Sequence, residues 1–294
     1  MVTELAPIDP ALRIDSVQLA VSDLSRSADF YERVLGLPLI SRDGRDALLG
    51  LDRERPALSL TELAHSTPAA RGSTGLFHVA WLHPSRAALA TTLRRVAHSR
   101  WPIDGAADHG VSEALYLSDP DGLGIELYAD RPRAQWERPP GGHGVKMVTL
   151  PLDLEDLLAQ AGSEVTPATP IGTGIGHVHL QVSDVPRALA FYRDALGFEE
   201  QTQLPSAAFV SAGGYHHHMG LNSWHSHGGQ PAPDSAPGLR RVVFELASAD
   251  AVDTLERRLI EASADGPSLS RDEDGSLNVR DPDRQLLSFS SPSS

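Results

Sequence analysis

Two stretches of the chain carry the same alternation of hydrophobic and polar positions. Residues 14–37 read IDSVQLAVSDLSRSADFYERVLGL and residues 175–198 read IGHVHLQVSDVPRALAFYRDALGF, a gapless offset of 161 residues. Each opens with the period of two expected of a strand and then an aspartate, Asp23 or Asp184, placed to begin a helix. Leu24, Ala28, Tyr31 and Leu35 follow at helical spacing, as do Val185, Leu189, Tyr192 and Leu196. Gly36 and Gly197 close the two helices.

A weaker repeat lies inside each half. Residues 75–97 and 238–260 again predict a strand and then a helix, with Leu89, Leu93 and Val96 on one side of the first helix. Each is followed by strands containing a matched turn, SDPDGLGIELY at 118–128 and RDPDRQLLSF at 280–289. The pattern predicts an α+β chain of four modules, near 12–65, 74–130, 172–225 and 238–290. Each module is one strand, one helix and about three more strands. Prolines and glycines mark 131–171 as a linker between two domains, 12–130 and 172–290, with a short helix near 152–161. Residues 226–237 read as a loop.

Composition narrows the chemistry. The net charge of −14 disfavours nucleic acid and anionic membranes as partners. No apolar run approaches the ~20 residues that span a bilayer. The opening MVTELAPIDP carries acids and prolines where a signal peptide needs a basic end and an apolar stretch, so a cytoplasmic protein is expected. Cysteine is absent, which excludes disulfides, iron–sulfur clusters and thiolate catalysis and leaves His, Asp and Glu as metal ligands. Oligomeric state is not visibly encoded, and a homo-oligomer stays open.

Four βαβββ modules with HVHLQVSDVPRALAFYRDALGF and DPDGLGIELY resemble the vicinal oxygen chelate superfamily, which includes glyoxalase I, bleomycin-resistance proteins and extradiol dioxygenases. SAGGYHHHMGLNSW (211–224), DHGVSEALYLSDPDGLGIELYADRPRAQWE (108–137) and IGHVHLQVSD (175–184) are similar to its catechol 2,3-dioxygenase branch. The resemblance implies two open barrels, each built by two modules, and a metal held by the first strands of two partner modules and the last strand of one of them. Those positions carry Ser16 in module 1, His78 and Glu126 in module 2, His177 in module 3, and Arg241 and Ser288 in module 4. Only pairing 2 with 3 collects His78, His177 and Glu126, so modules 1 and 4 are expected to pair as a metal-free barrel. Two imidazoles and one carboxylate form the facial triad of non-haem Fe(II) oxygenases, a set that Mn(II) shares.

Taken singly, His78 in FHVAW could be a core histidine, whereas Glu126 between Ile125 and Leu127 is costly to bury unless paired or metal-bound. His177 and His179 share a strand face, and the resemblance makes His177 the ligand and His179 a pocket residue. A strand through 215–219 would put Tyr215, His217 and Met219 on one face and His216 and His218 on the other. The resemblance then implies His217 as the acid–base histidine beside O₂, Tyr116 as the tyrosine that bonds the substrate oxygen, and His109 as a further catalytic histidine. Tyr215 and His179 would line the substrate pocket. His65, His83, His98, His143, His225 and His227 read as surface or loop residues.

The implied activity is extradiol cleavage, the insertion of both atoms of O₂ into a catechol-type diol. The alternatives are a glyoxalase-like lyase or isomerase, for which Gln18 is a hint one strand position off, and a metal-free small-molecule binding protein.

Overall fold

The computed structural model describes residues 7–139, 141, 144–262 and 268–292, which leaves His143 outside the described residues. Module 1 is β1 (Arg13–Val21), α1 (Leu24–Arg33), β2 (Leu39–Asp43), β3 (Asp46–Gly50) and β4 (Pro56–Glu62). Module 2 is β5 (Gly75–His83), α2 (Arg86–His98), β6 (Gly105–Asp108), β7 (Ser112–Ser118) and β8 (Gly124–Asp130). A short α3 (Leu154–Ala159) follows in the connecting segment. Module 3 is β9 (Gly174–Gln181), α4 (Val185–Ala190) running into a π-helical turn (Phe191–Ala195), β10 (Glu199–Leu204), β11 (Ala207–Ser211) and β12 (Met219–Asn222). Module 4 is β13 (Gly238–Glu245), α5 (Ala249–Ala262), β14 (Ser270–Arg271), β15 (Leu277–Arg280) and β16 (Leu286–Ser290).

The helices begin where side chains satisfy their free N–H groups. Asp23 accepts from the Arg26 amide and Asp184 from the Arg187 amide. Gly36 and Gly197 have φ of +74° and +90°, a left-handed conformation that favours glycine after a helix. The apolar faces expected of both helices are buried, from Leu24 to Leu35 and from Val185 to Leu196.

Strand pairing joins the modules out of sequence order. β1 lies antiparallel to β13, and β5 antiparallel to β9. Within each module the last strand lies parallel to the first: β4 to β1, β8 to β5, β12 to β9 and β16 to β13. Modules 1 and 4 thus share one curved sheet, modules 2 and 3 the other, and a single residue pair, Ile14 with Ile175, joins β1 to β9.

Side-chain clamps run the other way. Tyr31 of α1 donates to Asp119 in module 2 (3.1 Å), and Ser22 and Arg26 bond Asp121 in the same turn. In the other half, Tyr192 donates to Asp281 (3.2 Å), and Ser183 and Arg187 bond Asp283. Arg95 of α2 donates to the carbonyls of Val34 and Leu35, and Arg258 of α5 donates to those of Asp194 and Ala195. Sequence neighbours are therefore stapled by helix–turn contacts while the sheets pair 1 with 4 and 2 with 3.

Candidate active site

Three adjacent strands of the 2–3 sheet bring the chemistry together. Across them His177 on β9, Ala80 on β5 and Glu126 on β8 stand at one level. His78 lies two residues from Ala80 and so projects from the same face. The small Ala80 leaves room between the larger side chains on either side of it. Glu126 Oε2 is 2.9 Å from His78 Nε2 and 3.1 Å from His177 Nε2, and the two nitrogens are 3.2 Å apart. All three side chains are buried.

Their electrostatics follow from that burial. Burial raises a carboxyl, but the imidazoles of His177 and His78 outweigh it and hold Glu126 well below its ordinary range. Burial pushes His177 down to about 4 against the attraction of Glu126. The cluster could hold a divalent cation through two Nε2 atoms and one carboxylate oxygen.

A cavity of about 460 Å³ opens over the cluster. Phe77, Val111 and Phe209 contribute apolar wall, and Leu204 and Trp224, each about half exposed, stand at its edge. Among the described residues no lysine or arginine lines it. Met147, Val148 and Thr149, from the segment expected only to link the domains, also line the cavity. That segment is held against module 2 by a two-way backbone pair between Asp108 and Leu150.

Four of the other expected residues meet here. His109 Nδ1 lies 2.7 Å from the Val148 carbonyl, which can only accept, so Nδ1 carries the proton. Nε2 of that ring is then the acceptor for the Tyr116 hydroxyl at 2.7 Å. Burial first, and then the charge of Glu126, pushes the Tyr116 phenol well above its ordinary value. His179 Nε2 accepts from the Asn222 amide (3.1 Å), whose oxygen in turn accepts from the Trp224 backbone. Gly220 makes space for that ring, because a Cβ there would stand 2.7 Å from His179 Cγ. His217 lies against His177, ring centroids 4.0 Å apart, and burial holds it well below its ordinary value.

The segment around His217 departs from expectation. It is irregular up to His218, and the strand begins only at Met219. Gly213 and Gly214, at φ +60° and +64°, turn the chain before the histidines and break the alternation. His216 does not turn away from His217: it is fully buried beside the cavity, with Nδ1 2.8 Å from His217 Nδ1 and Nε2 2.9 Å from Asp130. Tyr215 does not line the cavity either. Its hydroxyl meets Tyr128 (2.7 Å) and Asp130 (3.2 Å), on the far side of the cluster. His83, expected at the surface, is buried, with Nε2 2.9 Å from the Thr92 hydroxyl and Nδ1 near the Trp81 and Tyr128 carbonyls. His65, His98, His225 and His227 are exposed.

Sequence reasoning did not single out Asp130, Ala80 or Asn222. Asp130 at the end of the apolar strand GIELYAD was the one visible signal, a carboxylate four residues beyond Glu126.

In modules 1 and 4 the corresponding positions are filled differently. Arg241 stands where His78 does and bonds Asp272 and Asn278, while Ser288 stands where Glu126 does and bonds Asn278. Gln18 pairs with Arg241 across β1 and β13, in the other barrel from the histidine cluster.

Comparison with known proteins adds relatives. The family described as the glyoxalase/bleomycin resistance protein/dioxygenase superfamily matches at residues 13–127 and 174–289. A catechol-2,3-dioxygenase of Bacillus subtilis (strain 168) is 43% identical over 276 residues, 92% of this chain and 93% of that protein. Among solved structures, a candidate dioxygenase from Bacillus subtilis superposes with a TM-score of 0.66 at 15% identity, covering 98% of this chain and 86% of the other. Glyoxalase I from Zea mays gives 0.57 at 16% identity, covering 95% and 92%. At such identities the two structures attest the fold alone.

Proposed function

We propose, from the premise that this chain belongs to the glyoxalase/bleomycin resistance protein/dioxygenase superfamily, that it is an extradiol dioxygenase acting on a catechol at a His78–His177–Glu126 iron centre. The observation that carries the reading is the convergence of two imidazole nitrogens and one carboxylate oxygen, all buried, at the floor of an apolar cavity. The 43% identity to a catechol-2,3-dioxygenase along nearly the whole of both chains supports it.

The donor set fits the metal. Among the described residues Glu126 has no lysine or arginine partner in the cavity, and a carboxylate so buried is costly unless paired or coordinated. His78, His177 and Glu126 would hold Fe(II), which would supply Lewis acidity toward a diol and the electron transfer that lets O₂ react with the ring. Mn(II) would suit the same residues.

The surrounding side chains have distinct tasks. Glu126 supplies one negative charge, so a divalent ion on this site would keep a net charge near +1, which favours a diol anion. Tyr116, whose hydroxyl proton is directed to His109, is placed to accept a hydrogen bond from a diol hydroxyl. His217, its ring kept neutral by burial, is placed to take a proton from the diol and return it later. His179, held by Asn222, walls the cavity, and Phe77, Phe209 and Trp224 give it apolar surface for an aromatic ring. Among the described residues the lining carries no lysine or arginine, which favours catechol and alkyl- or aryl-substituted catechols over carboxylated ones.

A glyoxalase-like lyase would need a fourth protein ligand. Gln18, the residue that hinted at one, lies in the other barrel.

Anaerobic purification, loading with Fe(II), and O₂ uptake on a panel of catechols test the proposal. The expected product contains both atoms of ¹⁸O₂ by mass spectrometry. Metal binding without O₂ uptake on any catechol would overturn the dioxygenase reading.

A further inference from the structure

Beside the cavity lies a chain of hydrogen bonds that the tasks assigned above do not use. His216 sits with its ring against Tyr215 (4.1 Å between centroids) and Trp136 (5.3 Å). Its two nitrogens both have partners: Nε2 is 2.9 Å from Asp130 Oδ1, and Nδ1 is 2.8 Å from His217 Nδ1. Asp130 Oδ1 also accepts from the Tyr215 hydroxyl, which meets the Tyr128 hydroxyl at 2.7 Å.

The proton positions follow from donor and acceptor chemistry. A carboxylate only accepts, so the proton between Asp130 and His216 belongs to His216 Nε2. In the neutral ring, with that nitrogen protonated, Nδ1 presents a lone pair. The contact between the two Nδ1 atoms then needs one proton, and His217 must supply it. His217 is left with Nδ1 protonated and Nε2 bare.

We infer that Asp130 and His216 are positioning residues that hold His217 in the tautomer presenting an unprotonated Nε2 to the cavity. The inference rests on the role proposed for His217 and extends it: a histidine that must accept a proton from the diol needs its free lone pair on the cavity side. Without a partner at Nδ1, an imidazole can place its proton on either nitrogen and turn its ring more freely. The logic is that of a carboxylate fixing the tautomer of a catalytic histidine, here with a second imidazole interposed.

Two measurements test it on the full chain. Loaded with Zn(II), a diamagnetic ion that takes the same donors, and labelled with ¹⁵N-histidine, the wild type should show His217 with Nδ1 protonated and Nε2 unprotonated. A His217 Nε2–H tautomer would overturn the inference, whether or not the Fe(II)-loaded chain cleaves any catechol. The second measurement compares two variants of the Fe(II)-loaded chain. His216→Phe keeps an aromatic ring between Tyr215 and Trp136 but offers no acceptor. His216→Asn loses that packing but places an amide oxygen near the former Nδ1. The expected result is a ~10–10²-fold fall in kcat for His216→Phe, with KM for catechol and iron content little changed and partial recovery in His216→Asn. The reverse order, with Phe more active than Asn, would mean that His216 acts only by packing and would sink the proposal.

Discussion

Glu126 stands on β8 between the buried side chains of Ile125 and Leu127, and its own side chain is 4% exposed. Such a group keeps its charge only through what faces it, and what faces it is His78 and His177. Glu126→Ala or His78→Ala should therefore abolish iron retention while near-UV circular dichroism stays that of a folded chain, because the packed core of both sheets is independent of the metal. A variant with full iron and full turnover would refute the assignment of donors. His217 is separable from that function, since its ring packs on His177 without joining the three converging atoms. His217→Ala should keep iron and bind catechol yet lose ~10²–10⁴-fold in turnover, the usual scale for a missing acid–base group. Stopped-flow rates with iron analysis on the same sample check this.

At the scale of elements, the turns that staple α1 and α4 carry carboxyls with displaced titration. Burial pushes Asp281 up to about 7, opposed by the backbone donors of the turn and aided by Asp283. Asp119, in the corresponding turn of module 2, is pushed by burial up to about 6. A carboxyl whose folded value lies above the unfolded one binds more protons in the folded state, so its contribution favours folding at low pH. That contribution is lost as pH rises from about 4 through about 7. Buried His83 and His177, both lowered to about 4, act in the opposite sense, so the informative quantity is a difference between variants. Urea midpoints at pH 5 and pH 8 should show Asp281→Asn losing less stability with rising pH than the wild type. The gap should be at most a few kcal/mol, at ~1.4 kcal/mol per pKa unit. Parallel curves would mean that Asp281 titrates as an ordinary carboxyl.

At the scale of the whole molecule, the two sheets and the helix–turn staples cross-link the modules in different pairs. His78 and Glu126 belong to the first half of the chain and His177 and His217 to the second, so neither half carries all three converging donors. Co-expressed as two pieces divided between Gln160 and Ile171, which lie in the connecting segment beyond α3, the halves should associate through β5 and β9 and retain iron. Either piece alone should not. Iron retained by the first piece alone at the level of the intact chain would contradict a site shared between modules 2 and 3.

Much of this architecture was legible in the residues. The repeat, the caps at Asp23 and Asp184, the buried helix faces and the four-module plan depend on periodicity and local hydrogen bonding, which neighbouring residues determine. The 2-with-3 pairing was reachable because a complete donor set existed in no other combination that preserved the family's strand positions. The surroundings of His217 were not legible. Alternation holds only while the backbone stays extended, and the two left-handed glycines before Tyr215 end it, sending His216 inward and Tyr215 away from the cavity. Nor could the sequence show that Val148 orients His109 or that Asp130 meets His216, contacts across 39 and 86 residues. Local patterns determined which elements form and which of their faces are apolar. The folded chain alone decided which distant polar atoms meet, because a hydrogen bond depends on position to within a few tenths of an ångström and periodicity carries no such information.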